Sequence, residues 1–380
     1  MSSLSFYVHI PYCVKRCGYC DFNTYTPNEL REGATLEVVS GDYIDAVLRE
    51  IEVAHTQVRG SVPTIFFGGG TPSLLPAKDL GRVISAIKDK WGLDQDCEIT
   101  LEANPDSVDA AKLAAYREAG FNRISFGMQS SQPHVLKVLD RTHNPENISR
   151  VVLEAKAAGF SSISLDLIYG TPGESLADWE SSVTTALALP IDHVSAYALI
   201  VESGTKLAAQ IKRGELSMPD DDLMADMYLL VDRFCETAGF AWYELSNWSK
   251  PNHESRHNVA YWRNANWWGL GPGAHSHLDG VRWWNVKHPN AYKEKSFAGE
   301  SVVQEREVLT RAQLHDEAMM LAIRLRSGIQ LSELTEDQRQ SVVQYGQSGH
   351  LDQHAWQAGQ LQLTPHGRLI ADRIVRQLVL

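Results

Sequence analysis

Cysteine is scarce in this chain: five in 380 residues, an odd number, with three of them crowded between positions 13 and 20. That count excludes the dense disulfide framework that staples small exported domains. Long apolar runs are missing too. The longest stretches are short, such as Val194–Val201, far from what a membrane-spanning helix needs. The first residues, Met1-Ser-Ser-Leu-Ser-Phe, lack the basic segment and cleavage site of a secretory signal, so the expectation is a cytoplasmic chain. Positive charge is in deficit, with 35 Lys and Arg against 47 Asp and Glu and a formal net charge of −12. Nucleic-acid binding and general adhesion to anionic membranes are thereby disfavoured, because both need clustered cations. No internal repeat or low-complexity tract is present. A hydrophobic content of 43% is ample for a core, and the length allows a large domain with smaller additions.

What is there begins with the run Pro11-Tyr-Cys-Val-Lys-Arg-Cys-Gly-Tyr-Cys-Asp21. Cys13, Cys17 and Cys20 form a CxxxCxxC triplet, which supplies three thiolates where a cubic [4Fe–4S] cluster has four irons to ligate. One iron is left open to a small molecule. Two other readings stand beside this one: packed inert cysteines, or a zinc site completed by His9 or Asp21. Zinc sites more often draw on two CxxC-like pairs, and no second pair exists. Cys97 and Cys235 have no cysteine neighbours and read as core residues. The triplet's spacing resembles the signature of the radical S-adenosylmethionine (SAM) superfamily. That resemblance implies that SAM occupies the open iron through its amine and carboxylate.

Short β-rich runs alternate with amphipathic stretches through the first half of the chain. Ser5–Ile10, Thr64–Phe67, Glu98–Glu102, Arg123–Met128, Ser162–Ile168 and His193–Ile200 read as buried parallel strands. Helical patterns fall at Asp42–Val58, Ala77–Lys90, Asp109–Ala119, Pro145–Ala158 and Ser175–Leu187. The fold class is therefore α/β with a parallel sheet. About six βα units are too few for a closed eightfold barrel, and the resemblance implies a partial (β/α)6, TIM-like barrel open on one side. A long helix from Pro219-Asp-Asp-Asp222 to Thr237 and an aromatic, Gly- and His-rich region to about Lys287 follow. The C-terminal pattern is helix (Glu317–Arg326), helix (Thr335–Ser348), strand (Gln360–Leu363) and helix (Pro365–Leu380), as in a small winged-helix-like domain. The acidic balance favours a lid or docking unit over a DNA reader there. The expected division is 1–216 for the core, 217–300 for an extension and 301–380 for the C-terminal domain.

Each strand ends in a residue suited to handling a polar cofactor. Gly68-Gly69-Gly70-Thr71-Pro72 follows the second strand, and glycines allow close backbone approach to a ligand. Glu102 and Gln129 end the third and fourth strands, Arg141 follows the fourth, and Asp166 lies in the fifth. Any one of these reads as a capping or surface group; together they suit the cation, hydroxyls and carboxylate of a zwitterionic nucleoside. By resemblance, Tyr7, Tyr19, Gly69, Gly70, Thr71, Glu102, Gln129, Arg141 and Asp166 fall on SAM-contacting positions of the superfamily.

Within the superfamily the GGGTP form resembles the coproporphyrinogen III dehydrogenase (HemN) group. Decarboxylases of that group carry CxxxCxxCxC, whereas the last of those positions is Phe22 here. CxxxCGYCDFN, together with His257-Asn-Val-Ala-Tyr-Trp262, resembles instead the HemN-like heme chaperones called HemW, whose HNxxYW motif is associated with heme. Composition agrees: seven of the ten tryptophans lie between Trp242 and Trp284, alongside His253, His257, His275 and His277. Porphyrin needs flat apolar faces, and its iron a nitrogen ligand. The plainer alternative is that Trp262, Trp267 and Trp268 simply pack. Gly269-Leu-Gly-Pro-Gly-Ala-His275 reads as a further cofactor-side loop. The resemblance implies heme, a [4Fe–4S] cluster and SAM as cofactors, with His257 as a heme contact. It further implies transfer of heme to an acceptor protein such as a respiratory enzyme, and it leaves a homodimer open. The alternative is an enzyme: an oxygen-independent coproporphyrinogen III oxidase that decarboxylates propionates by SAM-derived radical chemistry, or a related radical methyltransferase.

Overall fold

Alternation of polar and apolar residues decides how the first six strands are used. In the computed structural model, which describes residues 3–379, β1 (Ser5–Ile10), β2 (Thr64–Gly69), β3 (Glu98–Ala103), β4 (Arg123–Gln129), β5 (Ser162–Tyr169) and β6 (His193–Ala198) pair in sequence order, all parallel. Register places Phe6, Ile65, Ile99, Ile124, Ile163 and Val194 on one face. That face is sealed by helices Tyr43–Gln57, Ala77–Trp91, Ala110–Glu118, Asn147–Ala158 and Leu176–Leu187, whose Val47, Ile51, Val83, Ile87, Leu113, Val151 and Val183 join it in a single core. Each fully buried side chain of this size contributes roughly 1.5–3 kcal/mol. The opposite face carries Tyr7, His9, Thr64, Glu98, Thr100, Glu102, Ser125, Asp166, His193 and Ser195. The strands are thus not apolar on both sides, as the parallel pattern suggested; they enclose a polar interior. The expected strand and helix positions otherwise hold to within a few residues.

Among the described residues the strand order is linear, with no pairing between the sheet's two edges. β9 (Trp267–Leu270) adds parallel to β1, followed by the antiparallel β10 (His275–Leu278), β11 (Val281–Asn285) and β12 (Val303–Val308). At the other edge β8 (Asn247–Ser249) adds antiparallel to β6, followed by β7 (Ala241–Glu244), making twelve strands. The β10–β11 hairpin turns on Asp279-Gly280, both at positive φ (47° and 83°), as a two-residue hairpin turn requires. The aromatic region is therefore mostly sheet, with Trp268 and Trp283 buried in the main core and their rings 4.9 Å apart.

The C-terminal segment has its own apolar cluster, including Met319, Ile323, Val342, Leu361 and Ile374, around the short pair β13 (Ile329–Gln330) and β14 (Gln360–Leu361). Two expectations need correction. The helix placed at Glu317–Arg326 runs Arg311–Ala322, because Thr310 and Gln313 form a capping box that starts it earlier. The helix placed at Pro365–Leu380 is two helices, Pro365–Leu369 and Ala371–Val379, broken at Ile370, whose φ of −120° is not helical; Leu380 lies outside the described residues.

Glu50 joins the first half of the chain to the added strands. Its carboxylate accepts the Gly271 N–H (2.9 Å), the Asn285 amide (2.8 Å) and the Tyr292 hydroxyl (2.5 Å). Burial raises the carboxyl to about 7, although these donors pull the other way. The folded protein thus holds this proton more tightly than the unfolded chain. Stability contributed by the protonated form is complete below the unfolded value and lost as pH rises toward 7. Chemical denaturation at about pH 5 and about pH 8 is expected to show a loss of ~2.5 kcal/mol in the wild type that is largely absent in Glu50→Gln. Equal pH dependence in both proteins would contradict this.

Candidate functional site

The three cysteines lie on one loop beyond the C-terminal end of β1, and all are free thiols. The loop closes on itself: Tyr25 donates its N–H to the Pro11 carbonyl (2.7 Å), and Cys13 donates to Tyr25 (3.0 Å). The Thr71 hydroxyl lies 3.7 Å from Cys13 Sγ, and Arg141 Nη1 lies 3.6 Å from Cys17 Sγ. Two donors are thereby aimed at sulfur, an arrangement that suits thiolates. Burial raises the Cys13 thiol to about 11, with the nearby Cys20 and Cys17 adding to the shift. A bound cation reverses that penalty. Among the described residues no three His, Cys, Asp or Glu side chains converge as a single-ion site. His9, the nitrogen proposed above for zinc, has both ring nitrogens engaged: Nε2–H donates to the Asn23 carbonyl (2.9 Å), and Nδ1 accepts the Tyr7 hydroxyl (3.0 Å). That tautomer follows from the carbonyl, which only accepts.

The glycine loop packs closely on the cysteine loop. A Cβ on Gly69 would fall 2.5 Å from the His9 ring, and one on Gly70 would fall 2.5 Å from the Tyr12 carbonyl. Gly69 also sits at φ 108°, open mainly to glycine. The glycines therefore seat this loop against the cysteine loop, where Gly70 and Thr71 donate N–H groups to Ile10 and Tyr12 (2.7 and 2.8 Å). On its other side lies the polar interior face of the sheet.

There the sequence-selected residues converge. Glu102 accepts the Gly69 N–H at 3.1 Å, and the Ser125 hydroxyl lies 2.9 Å from both Asp166 oxygens. Burial, then the charge of Asp166, raises Glu102 to about 8; burial likewise raises Asp166, against the Ser125 and Ser195 hydroxyls. Burial opposes ionisation of both carboxyls, and a cation nearby would favour them as carboxylates. Arg141 donates to the Gly127 carbonyl (2.8 Å) as it reaches Cys17. Gln129 holds φ 62° at a bulge in β4, a conformation that costs about 1–3 kcal/mol and concentrates at functional sites. Tyr7 stacks on Phe66 (6.2 Å, 23°), and Tyr19 packs against the apolar cluster of Leu139, Ile168, Leu199 and Leu207. The donor set fits a zwitterion that carries a sulfonium, an amine and a carboxylate.

Asn23 was not singled out by sequence, yet it ties the cysteine loop to the added strands. Its amide donates to the Pro272 carbonyl (3.1 Å) and the Lys287 carbonyl (2.9 Å), and its Oδ1 accepts the Tyr25 hydroxyl (3.2 Å). The only local signal was its place in Cys20-Asp-Phe-Asn23.

The HNxxYW segment forms helix Arg256–Trp262, capped by Ser255. Its first N–H groups, on Arg256 and His257, donate to the Glu98 carboxylate (3.1 and 3.0 Å). His257 is buried. Its Nδ1 lies 2.7 Å from the Thr64 hydroxyl, its Nε2 2.9 Å from the Tyr261 hydroxyl, and its ring stacks on Phe66 at 5.1 Å. Burial lowers it to about 3. In this arrangement no ring nitrogen of His257 is free for an iron, and the residue anchors its helix against β2.

Residues 7–186 match the family described as the radical SAM superfamily. Over 98% of its length the chain is 47% identical to the heme chaperone HemW of Mycobacterium tuberculosis, covering 94% of that protein. It is 36% identical to the heme chaperone HemW of Bacillus subtilis, over 89% of this chain and 88% of that one. In structure it resembles coproporphyrinogen III oxidase (HemN) from Escherichia coli, a radical SAM enzyme, with a TM-score of 0.84, 22% identity, and coverage of 99% of this chain and 90% of that chain. At that identity the likeness establishes the fold. No described helix is long and apolar enough to cross a membrane.

Proposed function

Because the chain belongs to the HemW family of heme chaperones within the radical SAM superfamily, we propose that it binds heme and passes it to an acceptor protein. Cys13, Cys17 and Cys20 hold a [4Fe–4S] cluster, and the corner they leave open is taken by SAM. Glu102 and Asp166 meet the cationic part of SAM, Arg141 its carboxylate, and Gln129, Tyr7, Tyr19, Gly69, Gly70 and Thr71 line its place. When bound, the cluster supplies one-electron chemistry; the protein contributes orientation and exclusion of water. The same reading assigns residues 1–216 to the radical SAM core, 217–300 to the heme-handling extension and 301–380 to a docking domain, in a cytoplasmic protein.

One observation carries this reading: near-full-length similarity to HemW proteins, in a chain whose three thiols share one loop, with the Thr71 hydroxyl and Arg141 guanidinium aimed at Cys13 and Cys17. Phe22 stands where the decarboxylases carry another cysteine, and it is 64% exposed, so it adds an apolar tip rather than a ligand. The competing reading is coproporphyrinogen III decarboxylation. Anaerobically reconstituted protein is expected to develop a Soret band with added hemin. It should form no protoporphyrinogen from coproporphyrinogen III, SAM and a reductant. Formation of that product would replace the chaperone reading with an enzymatic one.

A further inference from the structure

The four histidines of the aromatic segment are not equivalent. His257 has both ring nitrogens in use, as described. His277 is also buried and committed, with Nδ1 3.1 Å from the Ala265 carbonyl and Nε2 accepting the Gly280 N–H at 3.2 Å. His253 is half-buried, and its Nδ1 is sealed from solvent. His275 differs from all three. It is exposed, and among the described residues its ring nitrogens make no hydrogen bond.

His275 opens β10 directly after the Gly269–Gly273 loop and stands opposite Trp284 in register. Its ring stacks on the Trp284 indole with centroids 5.5 Å apart and planes 23° from parallel. That contact orients the imidazole of a residue that is exposed overall. Partial burial, with the Lys287 ammonium nearby, lowers its protonation, and its charge is also felt at His9. β10 runs antiparallel to β9, which is parallel to β1, so His275 stands at the end of the sheet from which the cysteine loop leaves β1. Hydrogen bonds make the connection as well, since the Asn23 amide of that loop donates to the Pro272 and Lys287 carbonyls.

Resting on the heme-binding reading above, we propose that His275 is the imidazole that takes the heme iron, backed by Trp284, with the Lys287 ammonium in reach of a propionate. A neutral imidazole with an exposed nitrogen is a ready iron ligand. An aromatic plane behind it does the orienting work that outer partners do at metal sites. The cationic neighbour matches the porphyrin's carboxylates. His257 then holds the HNxxYW helix in place without touching iron.

The test titrates hemin into full-length wild type, His275→Ala and His257→Ala, followed by optical absorption and by EPR of the ferric iron. His275→Ala is expected to lose at least about tenfold in affinity and to shift its spectrum, with added imidazole restoring the wild-type signature. Folded His257→Ala, checked by circular dichroism, should keep the wild-type ligation spectrum. An unchanged spectrum in His275→Ala overturns the assignment, as does loss of histidine ligation in folded His257→Ala alone. If wild type itself takes up no hemin, the heme-binding reading fails, and this assignment fails with it.

Discussion

Anaerobically reconstituted Cys17→Ala is expected to retain almost none of the about four irons and four sulfides of a [4Fe–4S] cluster. Three thiolates are the fewest that hold a cube with one corner open, so removing one leaves two irons without protein sulfur. Arg141 Nη1, 3.6 Å from Cys17 Sγ, would then face no anion and gain nothing by remaining there. The brown absorption should vanish, together with any SAM-dependent change in the reduced EPR spectrum. Folding should survive, because Cys17 is only half-buried on a loop and belongs to no apolar cluster. Retention of iron and sulfide in folded Cys17→Ala would refute the cluster assignment, as would zinc in the wild-type site.

A loss of comparable size, in stability rather than cofactor, is expected from Arg368→Ala. Arg368 lies on the C-terminal segment, yet its guanidinium enters the main body. It pairs with both oxygens of Asp232 (2.8 and 2.6 Å), donates to the Tyr228 hydroxyl (3.1 Å) and lies 4.3 Å from the Trp242 ring centroid. The side chains of the pair are 4% and 15% exposed. Removing one member of such a pair strands the other's charge, at a cost of roughly 3–5 kcal/mol. Asp232 would keep only the Trp248 indole N–H, 2.8 Å away. Replacing both members with apolar residues, as in Arg368→Met with Asp232→Leu, should recover much of the loss, because no unpaired charge remains. Denaturant unfolding distinguishes these outcomes. A single-variant loss below about 1 kcal/mol would place the pair among weakly contributing surface ion pairs.

Much of the core was legible because its signals are local. Each of β1–β6 announces itself by composition, and the helices between them by period and caps. The polar alternation of Glu98-Ile-Thr-Leu-Glu102 and Ser162-Ile-Ser-Leu-Asp166 also held the enclosed polar face, although such runs read as doubly buried strands. Asp279-Gly280 carries a hairpin signal inside the aromatic region that reading by composition passes over. The edge strands were harder, since β7 to β11 are each five residues or fewer and owe their existence to the strands they join.

Among candidate site residues the division follows the same physics. Cys13, Cys17 and Cys20 come from a single loop, so their spacing alone brings them forward as candidates to ligate one shared cofactor. Histidine roles do not follow from spacing. His257 and His275 both stand in Gly- and Trp-rich surroundings, but Thr64, 193 positions from His257 in the chain, helps decide that one ring is spent on structure. Glu98, Asn23 and Glu50 acquire their importance in the same way, from partners 158 to 264 positions distant. The nearness of the three thiols was written by neighbours in sequence. The availability of each nitrogen to bind was settled only by folding, because a lone pair is free or engaged according to what packs against it.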